Sequence, residues 1–407
     1  MSENYHPLSE AEAIEHAKKL SALFSPAADL VCREIGDGNL NLVFHIQDRT
    51  TGQGVILKQA LPYAKIVGES WPLTLDRARI ESEALQLQGR LCREHAPQVY
   101  TYVPELALTV MEDLSDHEIM RKALMRRDKF PLFAGHIARF LANTLFFTSD
   151  LGLNQQEKKL RVKQFINPEL CKITEDLIFD HPYTDAETNN FEPAIRNAVE
   201  QIWKDMPLQL EVALLRERFL THAQALLHGD LHTGSIFVTE TSTKVIDPEF
   251  AFYGPMGFDI GAVFANLLLN YAAQEGWSRN DQDRRDYREY LLQTVTQIWE
   301  RFAAEFADLW DRHLVDRMAS TPGYRDNYMQ RLLQDTVGFT GAKMIRRVIG
   351  LAHAADLDKI EDPLAREKAQ RMTLAIGRSL ILRHRKVESV NEIVSIVKQV
   401  SGDENQS

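Results

Sequence analysis

Hydrophobic periodicity changes character once along this chain, near residue 115, and that switch constrains the fold more than any single residue does. From Val31 to Lys58 the pattern reads strand, Gly-rich turn, strand, turn, strand. Leu42, Phe44 and Ile46 alternate with Val43 and His45, which is the period of a pleated strand, and Gly52 to Gly54 supplies a turn. A helix is predicted from Asp76 to about Leu91, where Ile80, Ala84, Leu87 and Leu91 recur at spacings of three and four. An extended segment from Leu106 to Met111 then leads into Glu112, Asp113 and Leu114. Beyond that point long amphipathic helices take over, at Pro131 to Phe147, Tyr290 to Trp310 and Thr336 to Val348. Strands followed by a run of helices predict an α+β fold. The expected division is a mainly antiparallel sheet lobe over residues 1–114 and a helical lobe over 115–407.

One short hairpin interrupts the helices, with Ile236 to Val238 and Lys244 to Ile246 joined by a polar turn at Thr239 to Ser242. The last residues, Ser401 to Ser407, read as a frayed polar tail. Composition narrows the classes of function. The formal net charge of −11 argues against a surface devoted to nucleic acid or anionic lipid, so an anionic ligand needs a local cluster of cations. No apolar run reaches the roughly 18 residues of a membrane helix, and Met1 to Leu20 lacks a signal-peptide core, which predicts a cytoplasmic protein. Cys32, Cys92 and Cys171 are too far apart and too few for a zinc site or a disulfide framework; each is expected to be a small buried hydrophobe.

The strongest chemical signal is His228-Gly229-Asp230-Leu231-His232-Thr233-Gly234-Ser235, with Asp247-Pro248-Glu249 following across the hairpin. Phosphoryl transfer from a nucleotide needs a carboxylate near the attacking hydroxyl, and separate carboxylates to hold a divalent cation against the phosphates. Asp230 suits the first task. Asp247 and Glu249 suit the second, since residues two apart in an extended segment point to one side.

The His-Gly-Asp-Leu-His loop resembles that of aminoglycoside phosphotransferases, choline kinases and, more distantly, protein kinases. Two departures are informative. Ser235 stands where those relatives usually carry a metal-binding Asn, and Asp-Pro-Glu stands where protein kinases have Asp-Phe-Gly. Glu249 is expected to replace the missing ligand. Both departures, together with the runs GDGNLNLVF, VGESWPLTLDRAR, MEDLSDH and GPMGFDIG, resemble the methylthioribose kinase family over nearly the whole chain. The resemblance implies a bilobal protein-kinase-like fold with a β-rich first lobe and a mainly helical second one. It implies ATP and Mg²⁺ as cofactors, a homodimer, and transfer of a phosphoryl group to the anomeric hydroxyl of 5-methylthioribose in methionine salvage. The alternatives are a kinase of another small hydroxyl compound, of aminoglycoside, choline or homoserine type, and a catalytically inactive nucleotide-binding regulator.

Under that resemblance each motif takes a role. Gly36-Asp37-Gly38-Asn39-Leu40-Asn41 lies where a kinase places its phosphate-covering loop, with Asn41 among the nucleotide-binding residues. Lys58, ending the third strand, is expected to reach the phosphates and to pair with a carboxylate of the Asp76 helix, Glu81 rather than Glu83. The backbone of Glu112, Asp113 and Leu114 is expected to read the adenine edge. Asp247, Pro248 and Glu249 contact the nucleotide, and Asp247 and Glu249 hold the metal. Arg346 and Arg347 are expected to join Asp230 at the acceptor, with Trp71 in a loop that closes over the sugar. Asp259 is assigned to supporting the backbone of the Asp230 loop.

Overall fold

The computed structural model describes residues 5–35, 41–64 and 68–403. The chain divides into two compact units, Met1–His117 together with Lys244–Ala251, and Glu118–Thr243 together with Phe252–Ser407.

The first unit is built on a five-stranded antiparallel sheet of β1 (Leu30–Glu34), β2 (Asn41–Asp48), β3 (Gly54–Ala60), β4 (Val99–Val103) and β5 (Leu108–Glu112). The spatial order is β1-β2-β3-β5-β4. The extended segment expected from Leu106 begins instead at Leu108; a short 3-10 turn over Pro104–Leu106 precedes it, because Pro104 cannot donate to a ladder. Alternation along β3 sorts its two faces. Val55 and Leu57 enter a core with Phe44, Ile46, Leu108 and Val110, closed by helix α1 (Glu10–Lys18) through Ala13 and Ala17. Lys58 is sent to the opposite face. That face carries helix α2, which spans Asp76–Leu91 as its spacing predicts. Ile80, Ala84 and Leu87 are buried along it, and so are two charged residues, Arg77 and Glu81.

The second unit is helical. Its elements include α3 (Phe133–Thr148), α4 (Gly257–Trp277), α5 (Asp281–His313), α6 (Tyr324–Ile349), α7 (Pro363–Arg383) and α8 (Val390–Ser401). Helix α4 is buried over most of its surface and forms the centre of the unit. Helix α6 packs against it unusually closely. A Cβ on Gly261 would lie 2.8 Å from the Thr336 carbonyl and 3.0 Å from the Thr340 nitrogen, so glycine there sets the approach of the two backbones. α5 and α6 run well beyond the stretches that periodicity marks out; the added turns of α6 hold their own apolar residues, Tyr324, Tyr328, Leu332 and Leu333, of which the two leucines are buried.

The expected frayed tail is corrected at its start. Helix α8 ends at Ser401, whose hydroxyl lies 2.8 Å from the Tyr271 hydroxyl, and Asp403 accepts from Tyr271 (2.5 Å) and Arg288 (3.3 Å). Of the three cysteines only Cys92 is fully buried; Cys32 and Cys171 are partly exposed, and burial still holds both thiols above their ordinary pKa. No helix among the described residues is long and apolar enough to cross a membrane.

Candidate active site

The candidate residues gather in two constellations, one in each unit. In the first, β3 and α2 bring Lys58 and Glu81 together, with the Lys58 ammonium 2.7 Å from Glu81 Oε1. Glu83, the other candidate, instead pairs with Arg79 at 2.8 Å on the outer side of the helix. Lys58 also bonds Asp247 directly. Glu249 is buried; its Oε2 accepts a hydrogen bond from Asn41 Nδ2 at 3.4 Å and forms an ion pair with Arg77, whose Nε lies 3.4 Å away without hydrogen-bond geometry.

The expected extended run through Asp247-Pro248-Glu249 is corrected. Asp247 has a positive φ of 69°, and the segment turns at Pro248, whose carbonyl accepts from the Ala251 N–H at 3.0 Å. A left-handed backbone at a non-glycine residue is disfavoured, and Asp tolerates it better than most. The carboxylates converge all the same. Oxygens of Glu81, Asp247 and Glu249 all lie within 4.8 Å of one another. Among the described residues three carboxylates face two cations, Lys58 and Arg77, so the cluster carries surplus negative charge. Burial, with Asp247 and Glu249 adding to it, pushes Glu81 up to about 7 against the pull of Lys58. Burial and Asp247 likewise push Glu249 up. Lys58 shows the reverse balance, since burial would depress it but Asp247, Glu81 and Glu249 hold it above the ordinary lysine range. An all-oxygen donor set with excess negative charge fits a hard divalent cation.

Glu112, Asp113 and Leu114 close β5. The Glu112 carboxylate accepts from the Gln98 N–H at 2.9 Å and from Lys244 at 3.3 Å. Asp113 accepts from His45 Nε2 at 2.8 Å and from the Ser115 N–H at 2.9 Å. Both side chains are engaged by protein, and so is the Glu112 N–H, which donates to the Gln98 carbonyl at 2.8 Å. Gly36 to Leu40 lie outside the described residues. Trp71 falls in the strand Gly68–Pro72, and its side chain is also outside them.

In the second unit, the Asp230 loop is held from beneath by Asp259, in the first turn of α4. Its two oxygens accept the His228 N–H at 2.6 Å and the Gly229 N–H at 3.1 Å. Gly229 sits at φ +87°, a conformation that glycine adopts freely and that lets two consecutive N–H groups turn toward one carboxylate. Asp259 is buried, and burial pushes its pKa up against the two backbone hydrogen bonds. Ser235 is engaged within the loop, its hydroxyl 3.5 Å from the Asp230 carbonyl and 3.2 Å from His232 Nδ1.

Asp230 faces cations on every side the unit offers. Oδ1 lies 3.9 Å from Arg346 Nη2 and 4.0 Å from Arg347 Nη2, and Oδ2 lies 3.4 Å from His232 Nε2. Burial would raise the Asp230 pKa, but His232, Arg347, Lys343 and Arg346 together hold it far below the carboxylate range. At about 4 Å and an effective dielectric near 20, each such pair is worth about 4 kcal/mol of Coulomb energy before desolvation. Asp230, His232, Asn266, Lys343, Arg346 and Arg347 line one small recess.

Sequence reasoning thus named Asp230, Arg346 and Arg347, and the structure gathers them into one recess. It missed Arg77 and Lys343. Arg77 lies in the VGESWPLTLDRAR run and on α2, where charge alone gives no sign that the side chain is fully buried against Glu249. Lys343 precedes the arginine pair by one helical turn, and that spacing was the available signal.

The chain is similar to known proteins over most of its length. The model of the phosphotransferase enzyme family matches residues 31–290. A methylthioribose kinase from Geobacillus sp. (strain WCH70) is 52% identical over 97% of this chain and 96% of its own. Another from Geobacillus kaustophilus (strain HTA426) is 54% identical over 94% of each. Among solved structures, an ethanolamine kinase of Plasmodium vivax superposes with a TM-score of 0.47 at 14% identity, covering 92% of this chain and 90% of that one. With half of all positions identical along almost the full length of both partners, the chain belongs to the methylthioribose kinase family.

Proposed function

We infer that this chain transfers the γ-phosphoryl group of ATP to the anomeric hydroxyl of 5-methylthioribose, giving the 1-phosphate and ADP in methionine salvage. The observation that carries this reading is the placement of Asp230 against Arg346 and Arg347 in one recess, in a chain whose relatives bear that activity in their names. Asp230 orients the acceptor hydroxyl and takes its proton as the oxygen attacks phosphorus. Its low basicity in the free site is relieved when the transferring group brings negative charge among the same cations. Arg346 and Arg347 then face that charge, and their planar guanidinium groups can grip a phosphoryl or sugar oxygen through two donors.

Residues 1–114 serve the nucleotide in this reading, and residues 115–407 carry the Asp230 loop and the acceptor. Lys58, positioned by Glu81, binds the non-reacting phosphates, Asn41 and Pro248 border them, and the backbone of Glu112, Asp113 and Leu114 reads adenine. Kinases of this family use ATP with a divalent cation, and we assign that cation as Mg²⁺, held by Asp247 and Glu249. When bound, it neutralises charge on the phosphates. The surplus of carboxylate at that cluster supports the assignment. Trp71 is proposed to cover the sugar. The resemblance further supports a cytoplasmic location and a homodimer; light scattering of the purified protein would read the dimer directly.

The test is Mg²⁺-dependent ADP release measured with methylthioribose, ribose, choline and an aminoglycoside in turn. Methylthioribose should be the best acceptor by at least tenfold in kcat/KM. A higher value with choline or the aminoglycoside would replace this reading with the amine-acceptor one, and binding of ATP without ADP release on any acceptor would leave a regulator.

A further inference from the structure

Lys343 lines the acceptor recess and has no part in the mechanism above. It lies on α6, three and four positions before Arg346 and Arg347, so all three side chains leave the same face of the helix. Its side chain is 5% exposed, and it lines the recess together with Asp230, His232 and Asn266. What surrounds its ammonium is unusual. Nζ rests 3.8 Å from the centre of the Phe258 ring, and among the described residues it has no hydrogen-bond or salt-bridge partner. The two carboxylates in its field are committed elsewhere, Asp259 to the His228 and Gly229 N–H groups and Asp230 to His232, Arg346 and Arg347.

An ammonium has three donors, and an aromatic face satisfies its charge but not those donors. Burying such a group without an oxygen partner is destabilising, and hydrophobic residues of similar volume would serve the core better. The recess that Lys343 lines is where an oxygen partner, water or a bound ligand, can reach those donors. We propose that Lys343 is a third cationic binding group of the acceptor site, donating a hydrogen bond to a hydroxyl oxygen of the bound sugar beside the one that reacts. The proposal rests on the assignment of the Asp230 recess to the acceptor. It also gives the recess its selectivity, since a floor of Lys343, Arg346 and Arg347 repels an amine-bearing acceptor. Burial, with Arg346 and Arg347 adding to it against Asp230 and Asp259, lowers Lys343 to about 7, so the group can gain a full charge when an electronegative ligand arrives.

Lys343→Met separates a binding role from a structural one. The variant should raise KM for methylthioribose at least tenfold, change kcat less than threefold, and leave ADP affinity measured without sugar unchanged. Its melting temperature should equal or exceed that of the wild type, because an unpaired buried charge has been removed. A methylthioribose KM within twofold of wild type overturns the proposal. So does a lowered melting temperature with proportionate loss of all activity, which is what a structural lysine predicts. Lys343→Gln, which keeps an N–H donor and most of the volume, should fall between the two; failure of both variants to fold would also overturn it. Wild type runs alongside: absence of turnover on methylthioribose overturns the functional reading itself, whereas wild-type turnover with unchanged variant kinetics overturns the role of Lys343 alone.

Discussion

Asp259 ties the fold of the second unit to its chemistry, and removing it gives the sharpest structural prediction. Its carboxylate takes two consecutive N–H groups, from His228 and Gly229, two residues and one residue before Asp230. A buried hydrogen bond to a charged acceptor contributes about 1.5–3 kcal/mol, so stripping both in Asp259→Ala forfeits about 3–6 kcal/mol. Part of that is returned, because the buried carboxylate is itself disfavoured, as its raised pKa records. A net loss of about 2–4 kcal/mol remains, a large share of the 5–15 kcal/mol typical of folded domains. Activity should fall more than stability, since a loop displaced by about 1 Å costs on the order of 100-fold in rate. Urea unfolding followed by circular dichroism, with kcat measured on the same preparations, reads both. Asp259→Asn keeps one acceptor but points an amide N–H₂ at the second N–H, and should recover less than half of the lost stability. A shift below about 0.5 kcal/mol with near-normal kcat in Asp259→Ala would refute the idea that these two bonds hold the loop.

Three further outcomes follow from particular contacts. A side chain at Gly54 would run into the Asp113 carboxylate, so Gly54→Ala should destabilise by about 1–3 kcal/mol and raise KM for ATP; an unaltered melting temperature would show that Asp113 moves aside freely. Arg346→Lys keeps charge but loses the two-pronged geometry, and should lower kcat/KM for the sugar by the equivalent of about 2–4 kcal/mol, whereas an idle helix face predicts wild-type kinetics. Lys343 is lowered to about 7 from 10.5, so between those values the folded state binds fewer protons than the unfolded one and stability rises with pH. The advantage of Lys343→Met over wild type should therefore be greatest below pH 7 and shrink by up to about 1.4 kcal/mol per unit above it, and a gap that stays constant from pH 6.5 to 9.5 would contradict the burial argument.

Much of this arrangement was legible in the sequence because it depends on local pattern. Alternation in β3 places Lys58 on the face that receives α2, and the three-four spacing of Ile80, Ala84 and Leu87 gives that helix its bounds. The Asp230 loop and the hairpin after it are short and dense in turn residues, so they read directly. What was not legible depends on burial or on backbone geometry. Glu81 and Glu83 lie only two positions apart on α2, and helical phase alone left the choice to family resemblance; the structure turns Glu81 inward to Lys58 and Glu83 outward to Arg79. Asp247 reads as extended from its neighbours, yet it adopts a positive φ that no side-chain pattern announces. Arg77 is a charged residue buried beside Glu249, and composition assigns such residues to the surface. Asp403 looks like part of a loose tail until Tyr271 and Arg288, more than a hundred positions earlier, are seen to hold it.

The claim on which the account stands is that Asp230 handles the proton of the acceptor hydroxyl, and Asp230→Asn measures it. The amide keeps the shape of the side chain but cannot accept the proton, so kcat on methylthioribose should fall by about 10²- to 10⁴-fold, with ADP affinity close to that of the wild type. A variant that folds, binds nucleotide and retains more than about a tenth of wild-type kcat would contradict the assignment.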